Sequence, residues 1–178
     1  MRFAKRLLIG IVLLAATFIV VVALQPDDYR LTRQTAIAAP AAAVFEQVND
    51  LQKWENWSPW AKLDPNAKVT FSGPPAGQGA SFRWDGNDKV GAGTMTITES
   101  KPTTRLATRT DFVRPFAGTS NSDFVFSQMG DQTNVIWTMS GRHTFVGKAI
   151  CLFMSMEDML GPEFERGLAQ LKQVAERK

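Results

Sequence analysis

His143 is the only histidine in the chain, and so the only side chain whose ordinary pKa lies near neutral. A general base would suit this position, and Asp111 or Asp123 could orient it. Alternation of apolar residues around those two aspartates, however, predicts that both face solvent. Thr110 has the opposite parity and is the inward hydroxyl that could assist a proton transfer. His143 and Thr110 are therefore the catalytic candidates, although His143 lies at the end of its expected strand, where exposure is common.

The sequence does not contain the residues that nucleophilic cysteine catalysis, zinc binding or nucleotide binding would need. Cys151 lies in the apolar stretch AICLFMSM, a setting that raises a thiol pKa and predicts an inert buried thiol rather than a nucleophile. With one histidine and one cysteine, the chain offers neither a zinc triad nor a cysteine cluster. No nucleophile-elbow, dinucleotide-binding or phosphate-loop motif occurs. Residues 73–79 are glycine-rich but open into a strand, which predicts a turn.

Composition limits the class of protein. The chain has 178 residues, 44% apolar and 21% charged, which predicts one folded domain with a real core and excludes disorder. Arg2, Lys5 and Arg6 supply three positive charges, equal to the net charge of +3, so the remainder is balanced. No basic face is visible, and we therefore expect no nucleic-acid partner.

Residues 7–24 form an uncharged apolar run of eighteen residues. As a helix they would cover about 27 Å, close to the hydrocarbon core of a bilayer. The run is longer than a signal-peptide core and its cleavage site is poor, so an uncleaved anchor is favoured over a cleaved signal or a buried core helix. The positive-inside rule predicts that residues 1–6 are cytoplasmic and that the domain at residues 27–178 is extracytoplasmic, in the bacterial periplasm.

The rest of the chain predicts an α+β domain. Residues 29–39 read as a strand, two short helices follow Pro40, and the pattern then becomes strand-like, with turn-formers between segments. A terminal helix follows, which Gly161 and Pro162 are expected to interrupt or kink. We expect a curved antiparallel sheet of about seven strands wrapped on this long helix. The six later strands are expected at residues 69–73, 81–86, 93–100, 105–113, 122–128 and 133–145; the helix repeats its apolar face at Phe164, Leu168, Leu171 and Ala175.

Two early stretches resemble a known superfamily. Residues 40–45 read PAAAVF and residues 50–60 read DLQKWENWSPW, similar to the opening signature of the SRPBCC superfamily, the START and birch-pollen-allergen-like helix-grip proteins. The polyketide cyclase/dehydrase-like branch matches best. The resemblance covers residues 29–175 and implies a helix-grip fold with an interior cavity, without a metal or organic cofactor; it specifies function weakly. Three further stretches agree, at residues 115–118, 133–141 and 159–172.

Strand parity, together with the resemblance, predicts a cavity lining of aromatic, methionine and hydroxyl side chains. Such an interior suits a large, weakly polar ligand. The same residues could also fill an ordinary solid core, and the resemblance favours the cavity. The expected lining is Trp57, Met95, Ile97, Leu106, Thr108, Phe112, Phe124, Phe126, Trp137, Met139, Met156 and Leu160.

Two apolar features leave alternatives open. Trp54, Trp57 and Trp60 could pack under the rim of the sheet, form a pocket mouth, or rest on a membrane interface. Residues 149–156 are apolar on every face and could be buried against the sheet or form a lid that touches lipid. About four residues separate the apolar run from the first strand, a tether of roughly 15 Å, so a mouth facing the membrane is geometrically easy.

Three functions are compatible with these features. The leading hypothesis is a membrane-anchored protein that binds a hydrophobic small molecule or lipid in its cavity without chemistry. The second is a cyclase/dehydrase-type lyase or isomerase that uses His143 and Thr110. The third is an accessory that binds an unidentified envelope protein through the tryptophan region or the Pro115 loop.

Overall fold

Residues 2–177 are described by the structure, a computed structural model. One long helix precedes a strand, two short helices, six strands and two further helices. The helices are α1 (Arg2–Ala23), α2 (Ala41–Asn49), a 3-10 helix (Leu51–Asn56), α3 (Phe145–Cys151) and α4 (Met156–Ala175). The strands are β1 (Asp28–Ile37), β2 (Lys68–Ser72), β3 (Ser81–Asp85), β4 (Ala92–Lys101), β5 (Arg105–Arg114), β6 (Gly118–Met129) and β7 (Gln132–Arg142).

All seven strands form one antiparallel sheet in the order β1-β7-β6-β5-β4-β3-β2. Strands β2 to β7 pair in sequence as a meander, and β1 closes the other side by pairing with β7, where Leu31 lies opposite Met139. Burial alternates residue by residue along β6 and β7, because successive side chains point to opposite faces. This architecture confirms the α+β helix-grip fold that the sequence predicts.

Helix α4 packs its predicted apolar face on the sheet and on α2. Phe164 and Leu171 are fully buried, and the Phe164 ring stacks on Trp137 of β7 at 3.9 Å between centroids. Gly167 permits this close approach, because a Cβ there would lie 3.0 Å from both the Trp137 ring and Pro59. The helix is thereby fixed against the sheet at one contact.

The structure differs from the sequence expectations at the end of β7 and within α4. The last strand was expected to reach residue 145, but β7 ends at Arg142 because the Thr144 side chain accepts a hydrogen bond from the Gly147 amide and caps α3. The interruption of the terminal helix that Gly161 and Pro162 predict, as one of two alternatives, does not occur, because α4 runs through both residues. Pro162 removes one helical hydrogen bond, and the packing of the following turns on the core retains the helix.

The end of α1 is joined to the domain by a set of polar contacts. The Lys148 ammonium ion-pairs with Asp27 and donates to the Ala23 carbonyl at 3.4 Å, which satisfies a free carbonyl at the helix C-terminus. The His143 amide donates to the Asp27 carbonyl at 2.7 Å, and Arg142 lies 3.2 Å from the Asp27 carboxylate. We call these contacts the α1 joint. They make the connection a fixed element rather than a free tether.

Beyond the α1 joint, α1 itself is largely bare. The most apolar 18-residue window within residues 3–23 has a mean hydropathy of 2.7, and only 6% of that window is buried. By length and composition this helix could cross a membrane. Val22, at its end, is fully buried against the domain.

The stack on α4 predicts a large stability difference between two phenylalanines. Phe164→Ala should lower the free energy of unfolding by about 3–5 kcal/mol, because it empties a fully buried site. The control, Phe116→Ala, removes a side chain that is 53% exposed and should cost about 0.5 kcal/mol or less. Urea unfolding of the full chain in mild detergent measures both. Equal costs would contradict the packing described.

The α1 joint predicts a dependence on acid pH. The hydrogen bond from Lys148, its charge and that of Arg142 lower the pKa of Asp27. The ion pairs are therefore present at neutral pH and are lost as the pH falls through that lowered pKa, below the ordinary carboxyl value of about 3.9. Asp27→Asn should reproduce the loss at pH 7 and speed hydrogen exchange of the His143 amide. Asp28→Asn, which removes a carboxylate that is 79% exposed, is the control and should leave exchange unchanged.

Candidate functional site

One half of the concave sheet face is a solid aromatic core. Trp137 stacks on Phe124 at 5.0 Å, and the Trp57 ring meets Trp137 edge-on at 5.9 Å. Trp54 and Trp57 donate their indole N–H groups to backbone carbonyls of residues 48 and 47. Six of the expected cavity residues are packed here, each less than 5% exposed: Trp57, Ile97, Leu106, Phe124, Phe126 and Trp137.

The other half carries buried hydroxyl groups. Thr108 lies opposite Ser122, and Thr110 lies opposite Ser120, on the adjacent strands β5 and β6. All four are buried, and we call them the hydroxyl patch. Sequence reasoning found the two threonines but missed both serines: Ser120 precedes the expected start of the strand at residue 122, and Ser122 lies within that strand but was not assigned to the lining. The side chains beside the patch are Met95, Met139 and Phe112.

Three polar atoms on this face are unpartnered. The Thr108 hydroxyl, the Ser120 hydroxyl and the Trp137 indole N–H are buried and have no hydrogen-bond partner among the described residues; the Gln170 amide oxygen on α4 shares this state. Burying such a group without a partner costs about 1–3 kcal/mol, and most buried polar groups in proteins are paired. The concave face therefore holds hydrogen-bonding capacity that the fold does not use.

Tyr29 enters the same region from β1. It lies opposite Gly141 of β7, where a Cβ would come within 2.6 Å of the Tyr29 hydroxyl oxygen. Because Gly141 has no side chain, the Tyr29 ring can lie over β7 at this position. Burial raises the pKa of the Tyr29 hydroxyl, and the weak interaction with the Ser120 hydroxyl, which lies near it without a hydrogen bond of ordinary geometry, partly offsets this rise. Tyr29 is a neutral phenol at physiological pH and can donate a hydrogen bond.

His143 borders this region without joining the residues expected to assist it. Its ring centroid lies 4.9 Å from that of Tyr29, and its Nδ1 lies 3.9 Å from the Cys151 sulfur. Thr110 is two strands from Gly141, which places it roughly 10 Å from the strand that leads to His143. Burial raises the Cys151 pKa, so the thiol stays protonated.

The two aspartates considered as partners lie on the convex face. Asp111 is paired with Arg109 at 2.9 Å, and Asp123 with Arg105 at 2.8 Å. The partner of each carboxylate is thus an arginine and not His143. Within residues 2–177 no three His, Cys, Asp or Glu side chains are grouped so as to hold a metal ion.

Two surface depressions accompany the sheet. One of about 240 Å³ lies on the convex face beside Arg105 and Asp123, and one of about 210 Å³ lies between Leu51 and Phe71 at the β2 edge. Thr108 is the one expected cavity residue that lines either of them. The hydroxyl patch is less than a tenth exposed, so a ligand reaches it only when the side chains over it move. The two expected residues on α4, Met156 and Leu160, are half-buried.

Residues 29–176 match the family described as polyketide cyclase / dehydrase and lipid transport. The chain belongs to this family. The match spans the whole domain after α1 and confirms the SRPBCC resemblance found in the sequence. Membership of the polyketide cyclase/dehydrase and lipid transport family identifies a ligand-binding type of domain.

Solved structures support the same fold for this family member. The Zhui aromatase/cyclase from Streptomyces sp. R1128 is 18% identical with a TM-score of 0.62, over 84% of this chain and 94% of that chain. The Aha1 dimer from Colwellia psychrerythraea is 16% identical with a TM-score of 0.60, over 83% and 96%. No curated protein matches the chain in sequence. At these identities the likeness concerns the fold alone.

The unpartnered hydroxyl predicts an unusual response to mutation. Thr108→Val should leave the ligand-free protein as stable as wild type, or more stable by about 1 kcal/mol, because it removes a buried group that lacks a partner. Thr133→Val is the matched control: Thr133 is equally buried but donates to the Ala39 carbonyl at 2.7 Å, and its loss should cost about 1–2 kcal/mol. Urea unfolding distinguishes them, and equal destabilisation would contradict the assignment.

Proposed function

We propose that this protein is a single-pass membrane protein whose outer domain binds a hydrophobic small molecule or lipid on the concave face of the sheet. The observation that carries the proposal is the buried, unpartnered hydroxyl of Thr108, with the buried Ser120 hydroxyl on the next strand and the Tyr29 hydroxyl beside it. They lie beside methionine and aromatic side chains, in a domain whose family handles polyketides and lipids. Binding without chemistry is the simplest role for this arrangement.

The chemistry of the patch narrows the ligand class. A molecule that reaches Thr108, Ser120 and Tyr29 meets three uncharged hydroxyl groups. Its buried end should therefore carry a neutral oxygen function, such as a carbonyl or hydroxyl, rather than a phosphate or an amine. Its remaining surface would contact Met95, Met139 and the partly buried aromatic side chains, which favour an apolar chain or ring.

The α1 joint bears on whether α1 is kept as a membrane anchor or removed as a signal sequence. Cleavage of a signal sequence after Ala23 would remove the buried Val22 and leave Lys148 without one of its two partners. These contacts favour retention of α1 as a membrane anchor. With its basic residues before the span, the N-terminus would lie in the cytoplasm and the domain in the periplasm.

A cyclase/dehydrase-type enzyme is the second candidate. One contact favours it: the His143 ring packs on Tyr29, whose hydroxyl adjoins the patch. His143 would then tune Tyr29 as a proton donor to a bound carbonyl group. The accessory role loses support at the tryptophan region, because Trp54 and Trp57 are core residues and unavailable to a partner; the Pro115 loop, where Phe116 is exposed, remains its other surface.

Ligand binding is tested with a fluorescent long-chain fatty alcohol, whose polar end is a neutral hydroxyl, and the full chain in nanodiscs. Wild type should show a saturable component above the partitioning seen in empty nanodiscs. The double variant Thr108→Val, Ser120→Ala should bind about 10- to 100-fold more weakly, as expected for two lost hydrogen bonds.

The control for that titration is Thr138→Val, Ser140→Ala. It makes the same changes on the opposite face of the same sheet and should bind as wild type does. A wild-type protein without a saturable component would refute the binding proposal. Equal losses in the two double variants would refute its placement on the concave face.

The anchor proposal predicts the N-terminus of the protein isolated from membranes. Its intact mass should include residues 1–23, and alkaline carbonate should not extract it. Lys148→Ala should leave both results unchanged but loosen the α1 joint. A chain that begins at Leu24 would contradict the proposal and identify α1 as a cleaved signal.

A further inference from the structure

A cluster of exposed apolar side chains lies on α3 and the turn that follows it. Phe153 is 84% exposed, and four others are between 40% and 52% exposed. Burial against the sheet, one of the two expectations for residues 149–156, is therefore wrong for this segment. A contiguous exposed apolar patch on a domain marks an interaction site. We call this patch the α3 apolar face; its members are Phe145, Val146, Ile150, Phe153 and Met154.

The α3 apolar face is held next to the end of α1. The two helices are in direct contact. Lys148, the one charged residue of α3, is 91% buried, because its side chain turns away from solvent to Asp27 and the Ala23 carbonyl. The sole charge of the helix is thereby removed from the exposed surface, which leaves that surface apolar.

The length of α1 determines the depth in a bilayer at which α1 and α3 would be in contact. Its 22 residues rise about 33 Å, slightly more than the hydrocarbon thickness of about 30 Å. If α1 spans a bilayer, Ala23 lies at the boundary between the acyl chains and the headgroups. The α1 joint then fixes α3 at the same boundary.

We propose that the α3 apolar face inserts into the headgroup region of the bilayer that α1 crosses. This inference rests on the anchoring role given to α1 under the proposed function. Interfacial helices bury an apolar face about 5–10 Å deep, and phenylalanine suits that depth. A spanning helix and an inserted face make two attachments, which hold the domain in one orientation.

That orientation can be stated in terms of the strands. The ends of β1 and β7 at Asp28 and Arg142 face the lipid, and the turn at Met129 points away from it. Strand β7 has 11 residues, so Met129 lies roughly 33 Å further from the bilayer. The bilayer is thus positioned at the α3–α4 end of the domain.

The test uses the full chain in liposomes with one environment-sensitive fluorophore. In a Cys151→Ser background, the label is attached at F153C, at M129C or at L14C, all exposed positions where a label should not disturb folding. Phosphatidylcholine that carries a nitroxide near the headgroup or deep in the acyl chain reports the depth of each label. M129C is the matched control, because Met129 is also an exposed apolar residue.

We expect the headgroup-level nitroxide to quench the F153C emission and to leave M129C unquenched, because an interfacial apolar face lies at the depth of the headgroups. The deep nitroxide should quench L14C. Quenching at L14C without quenching at F153C would overturn this inference and leave the anchor intact. An L14C label that no nitroxide quenches would instead refute the anchor, and with it the basis of the inference.

Discussion

A stack of aromatic rings fixes the helix to the sheet, and the rest of the domain depends on it. Trp137 is held between Phe124 on the neighbouring strand and Phe164 on α4, at centroid distances of 5.0 and 3.9 Å. Gly167 has no side chain and so lets α4 come this close. Large buried rings of this kind dominate core energetics. The stack stabilises one half of the concave face, so the other half need not be packed as tightly.

The other half of the concave face contains buried polar groups. Thr108 buries a hydroxyl that no described residue satisfies, and the neighbouring Ser120 and Tyr29 add two more neutral hydroxyls. A sequence selected for stability alone would place apolar residues at such positions, since unpaired polar groups are destabilising when buried. The molecule therefore has a rigid aromatic support next to an energetically costly surface, an arrangement typical of a binding site in a fold of this class.

Much of this fold could be predicted from the sequence, because alternation with a period of two and turn residues are local signals. All seven strands and the apolar face of α4 were predicted with small errors in their ends. Side-chain alternation along a strand shows which residues point inward, but not whether the space beside them is filled. Phe124 and Thr108 both point inward, and only the packing of Phe164 and of the 3-10 helix shows that the space around Phe124 is filled. Ser120 was missed because its strand begins without apolar residues. The α1 joint could not be predicted, since it pairs Lys148 with a distant Asp27.

The central claim is that a hydrophobic ligand binds on the concave face, and photo-crosslinking tests it most directly. The full chain in liposomes is irradiated with a diazirine-bearing fatty alcohol, and the modified peptides are located by mass spectrometry. The account predicts adducts within residues 105–114 and 118–129, and their loss when unlabelled fatty alcohol competes. Adducts confined to α1 and α3, with these two strands unmodified, would contradict it and would leave a membrane-bound domain without an internal ligand.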